Sequence, residues 1–388
     1  MDVVRSFTLD AYVRARTRLW AVAGLWGGLL LISTDVYFAV VTYIPQYRVR
    51  NDFRLMYGAA LTGLHQGYSH LYDLAAQKQA VEGLGAGFYW SPFLNPPPLV
   101  WLVTPLTILP FTAALFVWTA LLLGALVLAW YLAAPGSRLT RAAHLAMLLG
   151  VFPVAFGVMV GQPVALIVAA VAACWWFAER DRPVVAGLVL SAIALKPQLA
   201  LFVPLCMLVS GHARVFGAWV VATLVISLVA LAMLGGDGFN RYREVLNLAS
   251  QWEITRRYAF SGLVGTGPAL YVSEAIVAAV TLLAAWRYRG GGAGVPIATG
   301  IVGSLLFTPY VGFQDFAILF VAGWLILRSK PSKWQVGALV VGFGVLELSL
   351  ILPPALILVV ESVLLLSLAW PKGFGWINAG RTSVATRP

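Results

Sequence analysis

The chain has 388 residues, 61% of them hydrophobic and 11% charged, with a mean hydropathy of +0.86. No water-soluble domain is that apolar, and long Leu-, Ala- and Val-rich runs without period-two alternation argue against a membrane β-barrel. The formal charge of +11 sits in short segments between apolar runs, where it speaks for membrane orientation rather than for nucleic acid.

Apolar runs approaching the ~20 residues that cross a ~30 Å hydrocarbon core recur from end to end, which predicts an all-α polytopic membrane protein. They read as about twelve crossings: 19–43, 110–133, 142–158, 163–178, 183–195, 198–210, 214–234, 263–287, 294–309, 313–327, 333–350 and 352–370. Several are short, so adjacent pairs are candidates for broken or re-entrant helices. The charged lead and the long apolar run at 19–43 lack an Ala-x-Ala site, so this segment is expected to stay as a span rather than be cleaved. Cys174 and Cys206 fall within spans, which leaves no basis for a disulfide framework or a Cys-based metal site. With the N-terminus inside, most Lys and Arg fall on cytoplasmic segments, and most of the rest lie in two long exterior loops. Residues 1–370 are thus expected to form one integral-membrane domain, with 371–388 as a cytoplasmic tail.

The first exterior loop, 46–97, has its own structure in the sequence. Leu55, Ala59, Leu61 and Leu64 recur at helical spacing over 52–66, and Leu71 to Val81 reads as a second amphipathic helix begun at Asp73. Such helices lie in the interfacial plane. Phe88-Tyr89-Trp90 adds aromatics at headgroup depth, and Asn95-Pro96-Pro97-Pro98 breaks the chain before the short apolar segment Leu99–Leu109. The second exterior loop is expected at 235–262. The shorter exterior turns carry Gly161-Gln162, Lys196-Pro197, and Tyr310 to Asp315. Polar residues thus gather at one surface instead of running through the bilayer, as they would in a pore.

The run Asp52…Tyr57, Gly67…Leu71-Tyr72-Asp73, Asn95-Pro96-Pro97 and Pro105…Leu109-Pro110 resembles glycosyltransferase family 87. Further matching motifs are Gly161-Gln162, Ala186-Gly187…Leu195-Lys196-Pro197, and Thr308-Pro309-Tyr310…Asp315, so the resemblance covers about 52–320. Two positions depart: Val164 stands where the family usually has Asn, and Asp315 where the mycobacterial branch tends to have His. The resemblance implies a GT-C-type membrane fold, a polyprenyl-phosphate sugar as donor, most plausibly of mannose, and a lipid-linked or envelope glycan as acceptor. It also implies a bacterial cytoplasmic membrane setting with the active site on the extracytoplasmic side.

Moving a sugar from a lipid phosphate to a hydroxyl needs a carboxylate to take the acceptor proton, and donors or cations to hold the leaving phosphate. Asp52, the first carboxylate after the first span, suits the base; it could equally be a helix-start carboxylate or a partner of Arg54. Lys196 suits the phosphate, its plainer alternative being a lysine that snorkels at a span end. Arg256 and Arg257, with Arg241 and Arg243 in the same loop, could clamp the phosphate or meet anionic lipid headgroups. Trp252 and Tyr258 are candidates for stacking on a sugar or for anchoring at the interface. Asp315 is the second carboxylate, for acceptor binding or as the base if Asp52 is not. Gln162 and Tyr72 are expected at the acceptor or sugar, and Asp35, inside the first span, as a structural hydrogen-bond partner. Neither a metal-ligand spacing nor a nucleotide motif occurs, so neither metal nor cofactor is expected. The competing reading is a lipid or glycan flippase or transporter, and a weaker one is a polysaccharide-assembly scaffold.

Overall fold

The computed structural model describes residues 2–45, 50–250 and 252–370, with side chains from Arg16 onward except those of 254 and 255. The proposed tail 371–388 and part of the first loop, 46–49, lie outside the described residues. Among the described residues the chain is α-helical with 3-10 turns and no strand. Helix α1 (Asp2–Phe38) continues as a π-helical turn to Tyr43. The first loop follows, with α2 (Phe53–Gln66), α3 (Leu74–Glu82) and α4 (Pro97–Val103). Then come α5 (Phe111–Ala133), α6 (Arg138–Gly150), α7 (Phe152–Met159), α8 (Val164–Ala178), α9 (Pro183–Leu190), α10 (Phe202–Val209) and α11 (Ala213–Ser250). The chain closes with α12 (Pro268–Arg287), α13 (Gly294–Phe307), α14 (Leu319–Arg328), α15 (Lys333–Glu347) and α16 (Ala355–Ala369).

Four of these helices are each long and apolar enough to cross a membrane: residues 16–43, α5, α11 and α12. A fifth candidate is the pair α6–α7, bent by 57° at Val151, where Pro153 opens the new helix. Among the remaining apolar helices, α8, α13 and α16 have 14 to 15 residues, so each falls short of the ~20 that a straight crossing needs. On α1, α5 and α11, Trp26, Phe116 and Val221 stand 68%, 70% and 63% exposed. So much open apolar surface is stable only with lipid as its solvent, and the protein is an all-α membrane protein.

The inner bundle is built around α13, whose side chains are almost all buried, and α8, none of whose side chains is exposed. α13 packs on α10, α12, α14 and α16, while α8 packs on α5 and α9. α1 is an outer helix that leans chiefly on α6. Gly28 lets the two approach: a Cβ there would lie 2.5 Å from the Ala146 carbonyl carbon. Gly28→Val should therefore lift α1 off α6 at a cost of about 1–3 kcal/mol, read as a lower unfolding temperature in detergent.

The loop helices form as expected, with boundaries set by identifiable caps. Asp73 caps α3 by accepting the Ala75 and Ala76 N–H groups, both at 3.0 Å. Pro97 and Pro98 occupy the first turn of α4, where their missing N–H groups cost nothing. The second loop expected at 235–262 starts at a break in the chain, but its first part is helical. The helical run of α11 is two helices that meet at Gly235, whose φ of 63° and ψ of −175° are non-helical, and the second of them runs on to Ser250. Gly235-Gly236 reads as a loop signal, and Gly235 does break the helix; a second helix follows it directly. Asp35 has one carboxylate oxygen buried without a hydrogen-bond partner, which differs from the structural partner expected of it.

Candidate active site

The start of α2, the α7–α8 turn, the 3-10 turns around Lys196, and the turn after α13 meet at one end of the bundle. The Asp52 N–H donates to the Val160 carbonyl at 2.7 Å, which docks the α7–α8 turn against the start of α2. Trp118 of α5 donates from Nε1 to the Gly161 carbonyl at 2.8 Å, and its indole stacks on Phe53 at 5.3 Å. Gly161 has φ +74°, and a Cβ there would sit 3.0 Å from the Phe53 Cβ. Gly161→Ala should cost about 1–2 kcal/mol for the left-handed backbone alone and displace Gln162; transfer activity should fall further than thermal stability does.

With the turn held there, Gln162 Nε2 donates to Asp52 Oδ2 at 2.6 Å, while its Oε1 accepts from Lys196 Nζ at 3.3 Å. Lys196 Nζ also forms a short ion pair with Asp315 Oδ1. Asp315 Oδ2 in turn accepts the Gly312 N–H at 2.9 Å, which fixes the carboxylate in the 3-10 turn Phe313–Ile318. Asp52, Gln162, Lys196 and Asp315 thus form one connected chain of polar groups drawn from four distant segments.

Exposure separates the two acids. The Asp52 side chain is 36% exposed, whereas those of Asp315 and Lys196 are 2% and 8% exposed. Asp52 can meet a substrate; Asp315 is locked behind Lys196. The snorkelling alternative for Lys196 is thereby set aside, because its ammonium points inward. Although a third of the Asp52 side chain meets solvent, its carboxyl is recessed, and that desolvation pushes its pKa above the usual carboxylate range. The Gln162 hydrogen bond and the charges of Arg54 and Lys196 pull the other way.

Arg54 is a contributor whose role the sequence did not show. Its guanidinium donates from Nε to the Tyr89 carbonyl and from Nη1 to the Asn51 carbonyl, both short, and Nη1 lies 3.8 Å from Asp52 Oδ1. Arg54 thus ties the base of the first loop together and places a cation beside Asp52. Its signal in the sequence was only its position two residues after Asp52.

The remaining expected residues do not reach this chain of contacts. Tyr72 is buried between Phe93 and Tyr242, and its hydroxyl donates to the Asn95 carbonyl at 2.7 Å. Its contacts brace the first loop against α11. Arg241, too, serves this brace, with Nη1 3.0 Å from His70 Nδ1 and 3.6 Å from Asp73 Oδ2. Arg256 ends the short helix Glu253–Arg256, with its Nε buried and unpartnered, and Arg257 lies over the Tyr258 ring at 5.8 Å. Tyr258 packs on Phe313 and Phe316, and Ser261 donates to the Pro309 carbonyl, so this segment flanks the Asp315 turn.

The model of glycosyltransferase family 87 matches residues 93–309, more than half of the chain. The protein belongs to glycosyltransferase family 87. Gln162, Lys196, Arg256 and Arg257 fall inside the matched stretch, Asp315 lies just past its end, and Asp52 lies well before its start. No curated protein and no solved structure matches the chain. Membership makes the protein a membrane glycosyltransferase, with a sugar donor and an acceptor as its substrates.

Proposed function

We propose that this family 87 member transfers a hexose, mannose by preference, from a polyprenyl-phosphate donor to a lipid-linked or envelope glycan. The work is done at the extracytoplasmic face of a bacterial cytoplasmic membrane, within a GT-C-type fold of about twelve crossings. The observation that carries the mechanism is the contrast between an open Asp52 and a sequestered Lys196–Asp315 pair. Gln162 engages Asp52 Oδ2 and leaves Oδ1 to accept a proton. The acceptor hydroxyl gives its proton to Asp52 as its oxygen bonds to the sugar C1. The bond from C1 to the phosphate oxygen breaks, and the electron pair leaves with the phosphate.

Charge balances through this step. Two carboxylates face two cations in the resting site, so it is close to neutral. The donor phosphodiester gains about one negative charge on becoming a monoester, while Asp52 loses one by taking the proton. Lys196 is the cation for the leaving phosphate, with Arg256 and Arg257 as outer ones from the segment beside the Asp315 turn. No general acid is needed, because a phosphate leaves readily. The inverting displacement would turn a β-linked donor into an α-glycoside. Neither metal nor organic cofactor has a role in this scheme.

The base must be deprotonated to act, so the rate should fall as pH drops through the Asp52 pKa. Since burial raises that pKa, the acid limb should begin above the ordinary ~4 of an aspartate. A pH profile of single-turnover transfer in nanodiscs checks this; a limb at or below that value removes Asp52 as the desolvated base. The flippase reading makes the opposite forecast. Lipid scrambling or flipping would proceed with Asp52 replaced, and no sugar would change carrier.

A further inference from the structure

A cavity lies outside the Asp52 chain of contacts. It is a partly open cleft of about 860 Å³ between α1 and α6 on one side and α14, α15 and α16 on the other, within the ~300–1,000 Å³ of ligand pockets. α6 leads through α7 to Gln162, and α14 follows the Asp315 turn; the cavity runs along α14 from Leu319 to Leu327 and along α6 from Thr140 to Met147, and its lining includes none of Asp52, Gln162, Lys196 and Asp315. Its walls are almost wholly hydrocarbon and aromatic, including Trp20, Met147, Phe320 and Trp324. Two walls are not. Glu361 of α16 is 2% exposed, and both its carboxylate oxygens lack a hydrogen-bond partner. His144 of α6 lies parallel to the Trp324 ring at 6.2 Å, with its Nδ1 also unpartnered.

An acid held in an apolar cavity without any partner costs several kcal/mol unless something there satisfies it. No neighbouring residue does so here. The walls call for a long hydrocarbon, and the orphaned acid calls for a hydrogen-bond donor on it. The donor's charge is constrained as well. Arg16 and Arg18 flank Thr17 and Arg138 precedes Thr140, all three arginines being exposed, and both threonines line the cavity. That surround repels a cationic amphiphile. We infer that the cavity is a binding site for a long-chain amphiphile bearing a free hydroxyl, which donates to Glu361 with His144 beside it. The site is separate from the transfer site and does not depend on how Asp52 acts.

Photolabelling with a diazirine-bearing hexadecanol in nanodiscs tests this, with labelled peptides mapped by mass spectrometry. Saturable labelling of the peptides holding His144–Met147 and Phe320–Trp324 is expected. Unlabelled hexadecanol should compete, and its methyl ether, which cannot donate, should not. Glu361→Leu should cut the labelling at least five-fold, while Glu361→Gln, which keeps an acceptor oxygen and the side-chain volume, should retain it. Better competition by geranylgeraniol would assign an isoprenoid chain; better competition by hexadecanol would assign an unbranched one. Unsaturable labelling, equal competition by the ether, or undiminished labelling of Glu361→Leu would each reduce the cavity to ordinary lipid solvation and overturn the inference. Should Glu361→Leu fail to fold, the comparison of alcohol with ether decides alone.

Discussion

Asp52→Asn is expected to lower single-turnover sugar transfer by about 10²–10⁴-fold, the usual contribution of a positioned base. The substitution keeps the shape of the side chain, and its amide oxygen can still accept the Gln162 Nε2 hydrogen bond. It removes the charge and the basicity. Donor binding and unfolding temperature should therefore hold near those of the parent protein, which separates a catalytic role from a structural one. A helix-start carboxylate would behave otherwise. Its loss would cost stability of order 1 kcal/mol and leave transfer nearly intact. Unchanged transfer by Asp52→Asn would move the base elsewhere, and Asp315, locked to Lys196 and Gly312, would first have to be freed to take the part.

The Lys196–Asp315 pair should give a pair of opposite results. Lys196→Met leaves a buried carboxylate facing an apolar side chain, and breaking such a pair costs about 3–5 kcal/mol. The unfolding temperature and donor affinity should fall together. Asp315→Asn keeps an oxygen for the Gly312 N–H but strips Lys196 of its resident anion. An uncompensated buried ammonium then meets the phosphate with no competitor. Polyprenyl monophosphate should bind about ten-fold more tightly, equivalent to ~1.4 kcal/mol, and kcat should drop as product leaves slowly. Product-inhibition constants for the parent and both variants measure this. An unaltered constant in Asp315→Asn would show that the leaving phosphate does not meet Lys196.

The fold class was legible because composition decides it: apolar runs of this length have few homes other than a membrane. The four residues of the polar chain were legible for a simpler reason. Each is an odd polar residue in a turn expected on one side of the bilayer, and sorting turns by side brings them together without any knowledge of distance. What could not be read was pairing across the fold. Arg54 finds the Tyr89 carbonyl 35 positions away, and Trp118 finds the Gly161 carbonyl 43 away; nothing local marks either bond. Tyr72 carried the family motif, yet its environment of Phe93 and Tyr242 makes it a brace. The helix that follows Gly235 was hidden by a Gly-Gly-Asp-Gly run, which breaks α11 at Gly235 but leaves a second helix, with Gly238 and Val245 buried, to run on to Ser250.

The ion pair between Lys196 and Asp315 spans 119 residues of sequence, and that separation matters for how the protein is made. At a synthesis rate of about 5–20 residues per second, Lys196 emerges roughly 6 to 24 s before its partner. Over that interval the ammonium has no anion of its own chain to bury against and must stay at a wet boundary or in the care of the insertion machinery. Loop closure around Lys196 therefore waits for the second half of the chain. Truncations ending before Asp315 should accumulate as insertion intermediates open to proteolysis at the Lys196 turn, and the finished transferase should be resistant there.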